Sequence, residues 1–163
     1  MTKLTEMAAA LGEKLKAQGQ TVGVFESSTG GLVSASLLAV PGASAYYQGG
    51  AVIYTATARA ALTGIPKEAM RGVRSSSEPY ALMLAKAARE TFGTDWGVGE
   101  TGAAGPTGNR YGDDAGHTCI AISGPVEHVI TLETGDADRE RNMWTFTEAV
   151  LDLLGKGVAA TGR

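Results

Sequence analysis

The sequence predicts an α/β fold, a three-layer α/β/α sandwich around a mixed sheet. Three observations carry that reading. Short apolar runs that look like buried strands alternate with segments of helical period. The last two such runs form a hairpin instead of continuing the alternation, which makes the sheet mixed. The 23 glycines are spread among the apolar runs, as tight strand–helix turns require, and do not form a low-complexity tract.

The elements follow in order. Leu4, Met7, Ala8, Leu11 and Leu15 lie on one helical face, predicting a helix over about 5–17, with lysines in its last turn and Gly19 as its stop. Thr21 to Phe25 is a short buried strand. Leu32 to Leu38 opens a helix that must end before Pro41-Gly42. Ala43 to Gly50 reads as a connection, Ala51 to Tyr54 as a second strand and Thr55 to Leu62 as an Ala-rich helix. Ser77-Glu78-Pro79 starts a helix that runs to about Thr91. Asp95 to Glu100 is a third strand, weakened by its glycines. The runs 117–122 and 128–133, with Gly124-Pro125 between them, form the hairpin. A last helix starts near Asp138 and ends at Gly155, leaving a frayed tail to Arg163.

Composition bounds the function. The length predicts one domain, residues 1–163. With 44% apolar and 19% charged residues the chain can build a core. A net charge of −3 without any Lys/Arg run disfavours nucleic acid as a partner. There is neither an apolar run of about 18 residues nor a signal-peptide core, so a cytoplasmic protein without membrane contact is expected. One cysteine, Cys119, excludes an internal disulfide and any cysteine-based metal site, and its apolar run makes it inert core. Two histidines without an acidic cluster argue against a metal site; His117 and His128 read as ordinary strand residues. Trp96 and Trp144 read as packing residues.

One stretch organises the chemistry. Glu26-Ser27-Ser28-Thr29-Gly30-Gly31 sits where the first strand ends and a helix begins. A helix start leaves backbone N–H groups unpaired and favours an anion, and glycines let a ligand approach closely. An ordinary N-cap would look the same. Two other strand ends carry suggestive residues: Tyr54, and the loop from Thr101 to Asn109, which lacks both a P-loop lysine and a dinucleotide fingerprint. In such sheets ligands bind beyond the carboxyl ends of strands, so the three ends are expected to converge on one pocket.

The order of these motifs resembles the CinA C-terminal domain family, whose characterised members are nicotinamide mononucleotide deamidases. The family signature Glu-Ser-Cys-Thr-Gly-Gly stands here as Glu26 to Gly31. Val-Pro-Gly-Ser-Ser stands as Val40 to Ser44, the Gly before Val-x-Tyr-Ser-Asn as Gly50 to Ala56, and Thr-Gly-x-Ala-Gly-Pro as Thr101 to Pro106. Ser77-Glu78 and the Gly135 to Arg139 stretch also fit, so the likeness spans nearly the whole chain. The N-terminal molybdopterin-binding-like domain of some members is not expected here.

The resemblance implies hydrolysis of a nicotinamide carboxamide to nicotinate mononucleotide and ammonia, with no cofactor. It implies Ser27 as nucleophile, with Tyr54 and the residue five positions on as activating partners. A serine hydroxyl needs such a partner to take its proton. Glu26, Ser28, Thr29, Gly30, Gly31, Glu100, Thr101, Gly102, Ala104, Gly105 and Arg139 are the expected substrate-binding positions. The Thr29-Gly30-Gly31 amides are candidates for an oxyanion or phosphate cradle. A homodimer is implied by the family's habit.

The chain also departs from the pattern. Arg59, not lysine, stands five residues after Tyr54, and a guanidinium cannot serve as a base. Ser28 replaces the family's cysteine and Ala56 its asparagine. His117 stands at a usual threonine, and a second arginine of the last helix has no clear counterpart beyond nearby Arg141. Glu100 stands at a usually apolar position; in the pocket it would serve as the base that Arg59 cannot be, or pair with Arg59. These departures leave two alternatives to the deamidase: a nucleotide-binding member without catalysis, or a hydrolase of another small amide.

Overall fold

In a computed structural model, which describes residues 1–162, five strands form one mixed sheet in the order β2-β1-β3-β4-β5. The strands are β1 (Val22–Glu26), β2 (Tyr47–Val52), β3 (Trp96–Ala103), β4 (His117–Ser123) and β5 (Glu127–Glu133). β1 pairs parallel with β2 and β3, while β3-β4 and β4-β5 are antiparallel. Arg163 and the tail predicted to end there lie partly outside the described residues. Among those described, no helix is long and apolar enough to cross a membrane.

Helices cover both faces, which makes the three layers. On one face, α1 (Thr2–Gln18), α2 (Leu32–Leu38) and α5 (Arg139–Thr161) bury Leu4, Leu15, Leu37, Val150 and Leu154 against Val22, Val24 and Trp96. On the other, α4 (Glu78–Phe92) seats Leu84 and Ala88 with Phe25, and Ala81 and Ala85 with Cys119 and Ala121. α3 (Ala56–Leu62) has no buried residue and projects from the rim.

The glycines of β3 do not weaken it; they let α4 lie against the sheet. A Cβ on Gly97 would stand 1.9 Å from the Ala85 carbonyl oxygen, and one on Gly99 would stand 2.1 Å from that of Ala81. β3 also runs three residues further than expected, through Thr101-Gly102-Ala103, because those residues pair with His117 to Cys119.

Further boundaries differ from the sequence reading. β2 begins at Tyr47, inside the expected connection, and ends at Val52, so Tyr54 lies beyond the strand. Gly49 and Gly50 make the early start possible: Phe92 and the Ser34 hydroxyl occupy the space where their side chains would be. The last helix continues to Thr161 instead of stopping at Gly155. Gly157 is a packing position within it, with Ile122 Cδ1 2.4 Å from where a Cβ would stand, and Val158 beyond it is fully buried.

Candidate functional site

The carboxyl ends of β1 and β3 lie side by side, since Phe25 pairs with Gly99. The next residue on each strand is a glutamate, Glu26 and Glu100, and both are 0% exposed. Burying a carboxylate is costly unless donors surround it. Here the donors come from the turn that follows β1.

Glu26 turns back into the start of α2. Its Oε1 accepts from the Thr29 hydroxyl (2.7 Å) and the backbone N–H groups of Gly31 (2.8 Å) and Val33 (3.1 Å), and Oε2 accepts from Ser34 N–H (2.9 Å). Glu100 supports the turn from β3. Its Oε2 accepts from the N–H groups of Ser27 (2.9 Å) and Thr29 (3.1 Å) and from the Thr29 hydroxyl (3.2 Å); Oε1 accepts from the hydroxyls of Ser28 and Thr118, the latter at 2.8 Å.

This arrangement revises several expectations. The helix N-terminus already holds an anion, the Glu26 carboxylate, so the Thr29-Gly31 amides point inward and are not an open cradle. Glu26, Thr29, Gly30, Gly31 and Glu100 line neither of the cavities at these strand ends. Glu100 does not pair with Arg59 and is occupied by five donors, which leaves it ill-placed to act as a base. The residues expected to touch substrate instead strap the loop that presents Ser27.

Ser27 itself, 8% exposed, lines a cavity of about 380 Å³. Tyr54, Arg59, Thr101 and Gly102 line the same cavity. A smaller one of about 200 Å³ lies on the other side of Tyr54 and Gly102, which line both; Ser28, Ala104, Gly105 and Arg139 complete it. Tyr54 is 59% exposed but tethered: Arg139 donates to its Oη at 3.0 Å and to the Gly105 carbonyl. Three strand ends do converge, as the topology requires.

Sequence reasoning missed the far wall of the larger cavity. Arg74 donates to both carboxylate oxygens of Asp113 (2.7 and 3.2 Å) and lies over the Tyr111 ring at 5.2 Å. Arg110 lies over the other wall residue, Tyr111, at 5.1 Å and donates to its hydroxyl at 3.1 Å. That bond is the leading reason the Tyr111 phenol titrates below its ordinary value of 10.0. Arg59 lies over Tyr80 at 5.7 Å; burial pushes the Tyr80 phenol up, and the arginine only partly offsets this. A chain of net charge −3 therefore gathers three guanidiniums around one cavity. The available signal was the density of Arg and Tyr in loops beside strand ends, which has no fixed spacing.

The CinA C-terminal domain model matches residues 4–158. The chain belongs to the CinA C-terminal domain family. It is 42% identical over 154 residues to a CinA-like protein of Anaeromyxobacter sp. (strain K), covering 93% of this chain and 36% of that one. A CinA-like protein of Myxococcus xanthus is 37% identical over 139 residues, covering 82% of this chain and 32% of that relative. The chain thus spans about a third of the length of these curated relatives. A CinA superfamily protein of Klebsiella pneumoniae 700603 shares the fold, with a TM-score of 0.90 at 23% identity over 96% of this chain and 98% of that one. A competence/damage inducible protein of Agrobacterium tumefaciens gives 0.85 at 26% identity over 93% of each. In this CinA domain Ser27 and Ser28 line cavities, and Glu26, Thr29, Gly30 and Gly31 build the turn that carries them.

Proposed function

We propose that this CinA domain is a nicotinamide-nucleotide amidohydrolase that converts nicotinamide mononucleotide to nicotinate mononucleotide and ammonia. The observation that supports it best is Ser27 held over a cavity by a turn whose Ser27, Thr29 and Gly31 amides are taken by two buried carboxylates. Such a turn cannot shift without breaking several charge-assisted hydrogen bonds, so the nucleophile is pre-positioned.

In the proposed reaction Ser27 Oγ attacks the carboxamide carbon. Tyr54 Oη accepts the serine proton as it passes its own proton to the leaving nitrogen, ammonia departs, and water then hydrolyses the acyl-serine. Arg139, already donating to Tyr54, steadies charge that builds on Oη during this relay. Arg59 contributes charge to the cavity wall and takes no proton. The Ser28 N–H, next after the nucleophile, is in the position from which such turns donate to an oxyanion. The three arginines of the larger cavity suit the phosphate of the substrate. A homodimer belongs to the same proposal and is checked by sedimentation.

Arg59 in place of a lysine favours one rival, a nucleotide-binding member without turnover. The deciding experiment measures ammonia release from nicotinamide mononucleotide by the wild-type protein and by Ser27→Ala. Release that vanishes in the variant supports the amidohydrolase. Saturable binding of the nucleotide with no release supports the rival, and neither binding nor release removes both.

A further inference from the structure

His117, at the start of β4, lies behind the arginine wall and is 5% exposed. Its two ring nitrogens both meet acceptors: Nδ1 contacts Glu133 Oε1 on β5, and Nε2 stands 2.8 Å from the carbonyl oxygen of Ser76. A neutral imidazole carries one N–H and can satisfy only one of these; the imidazolium satisfies both. Asp113 Oδ2 stands 3.7 Å from Nε2, adding a second carboxylate.

The Ser76 carbonyl is a junction. Besides His117 it accepts from Arg74 (3.3 Å) and from the Cys119 thiol (3.6 Å), and the Ser76 N–H donates to Thr101 Oγ1 at 3.0 Å. Ser76 has a φ of 56°, the one non-glycine residue described with positive φ. A serine holds that conformation only when its surroundings over-determine it. Ser75 and Ser76 line the larger cavity. Asp113, which also faces His117, is the residue that clamps Arg74.

We infer that His117, as an imidazolium, is a positioning residue that fixes the Ser75–Ser76 turn and the Arg74–Asp113 pair, and that the cavity's grip on an anionic ligand falls as pH rises and His117 loses its proton. This rests on the reading of the larger cavity as the phosphate-binding end of the substrate site. Burial alone would depress the His117 pKa, but the bonds to Glu133 and Ser76 and the charge of Asp113 outweigh it and raise the group above its ordinary 6.5. A raised histidine keeps its contribution below that value and loses it as pH climbs through the higher folded one.

Two neighbouring groups are shifted away from this window. Asp113 is held below 3.8: burial pushes it up, but hydrogen bonds from Arg74 and Asn109 outweigh this. Burial raises the Cys119 thiol above 9.0. Arg74 keeps its charge. Glu78 reaches the cluster only through Thr131, whose hydroxyl donates to it at 2.8 Å, and Asp114 offers only its backbone carbonyl.

Two measurements test this. Nitrogen NMR of the ligand-free wild-type protein follows the His117 ring and the backbone resonances of Ser75 and Ser76 from pH 5.5 to 9. A His117 midpoint above 6.5, with Ser75 and Ser76 shifting at the same midpoint, is expected. A midpoint at or below 6.5, or serine resonances indifferent to it, overturns the inference whatever the substrate is. Calorimetry of nicotinamide mononucleotide binding to Ser27→Ala, which prevents turnover, then compares His117 with His117→Gln, a side chain that cannot titrate. Affinity of the Ser27→Ala protein should fall roughly tenfold across the His117 midpoint, the order of one charge-assisted hydrogen bond. The doubly substituted protein should bind at the weaker level throughout, without that fall. The same pH profile in both proteins overturns the inference. Absence of nucleotide binding even at pH 6 overturns the substrate reading instead, and leaves the NMR result to decide the role of His117. Ionisation of the nucleotide phosphate near pH 6 acts in the opposite sense and is common to both proteins.

Discussion

The two buried carboxylates look equivalent in burial, yet their neutral isosteres should not be equivalent in cost. In Glu100→Gln the amide oxygen takes the place of Oε2 and continues to receive the Ser27 and Thr29 N–H groups. The new NH₂ then faces the Ser28 and Thr118 hydroxyls, which can turn to accept; Thr118 already has the Thr101 carbonyl at 3.2 Å for its own proton. In Glu26→Gln no orientation works. Backbone N–H groups stand at both oxygens, Gly31 and Val33 at one and Ser34 at the other, so the NH₂ must confront a donor that cannot turn away. Both variants lose charge-assisted bonds, so that loss largely cancels in the comparison. The confronted N–H adds about 1–3 kcal/mol to Glu26→Gln alone, and the lost anion at the start of α2 adds about 0.3–1 kcal/mol. Glu26→Gln should therefore be less stable than Glu100→Gln by roughly 1–4 kcal/mol, at about 2–4 °C of Tm per kcal/mol for a chain of this size. Urea unfolding followed by circular dichroism, with equal slopes for the two variants, measures the difference. If Glu100→Gln proves as unstable as Glu26→Gln or worse, the donor assignment around these carboxylates is wrong.

Other outcomes follow from the same geometry. On the proposed mechanism Tyr54→Phe removes the relay oxygen from an exposed side chain, so ammonia release should drop on the order of 10²–10⁴-fold while Tm stays near wild type; a fall under tenfold would remove Tyr54 from the relay. Gly97→Ala drives a methyl into the Ala85 carbonyl and should cost at least about 1–3 kcal/mol. Gly155→Ala, with nothing within 4 Å and a helical backbone, should gain about 0.5–1 kcal/mol in the same denaturation assay. The depressed Asp113 carboxyl contributes stability that is complete above pH 3.8 and lost as pH falls through its lower folded value. Asp113→Asn should remove that segment of the acid-unfolding curve, and an unchanged curve would show that Arg74 does not hold it.

Much of the fold was legible in the sequence because period and punctuation carry it: the Leu4–Leu15 stripe, the Gly19 stop and the helix start at Ser77 all stand where the pattern puts them. Boundaries failed where a glycine did not terminate: Gly49 and Gly50 serve packing, and Gly155 sits in open space within a helix that continues past it, since an absent side chain looks the same in each role. The candidate site was half legible for a deeper reason. A motif rich in small residues at a strand–helix junction signals that an anion will be met there, but not whether the anion is a ligand or part of the chain. In this CinA domain it is part of the chain: Glu26 fills the helix N-terminus, and Glu100 completes the support from the neighbouring strand. With the Ser27, Thr29, Gly31, Val33 and Ser34 amides taken by these carboxylates, an anionic phosphate would have to be met by side chains. The guanidiniums that the proposed function assigns to that task come from α3, the segment before α4 and the loop before β4. They share no spacing, and only the folded sheet brings them to one cavity. The residues that read most strongly as binding groups in sequence therefore include those that hold Ser27 still, and on the proposed reading the contacts to a substrate fall to arginines and tyrosines that look ordinary until the strand ends are assembled.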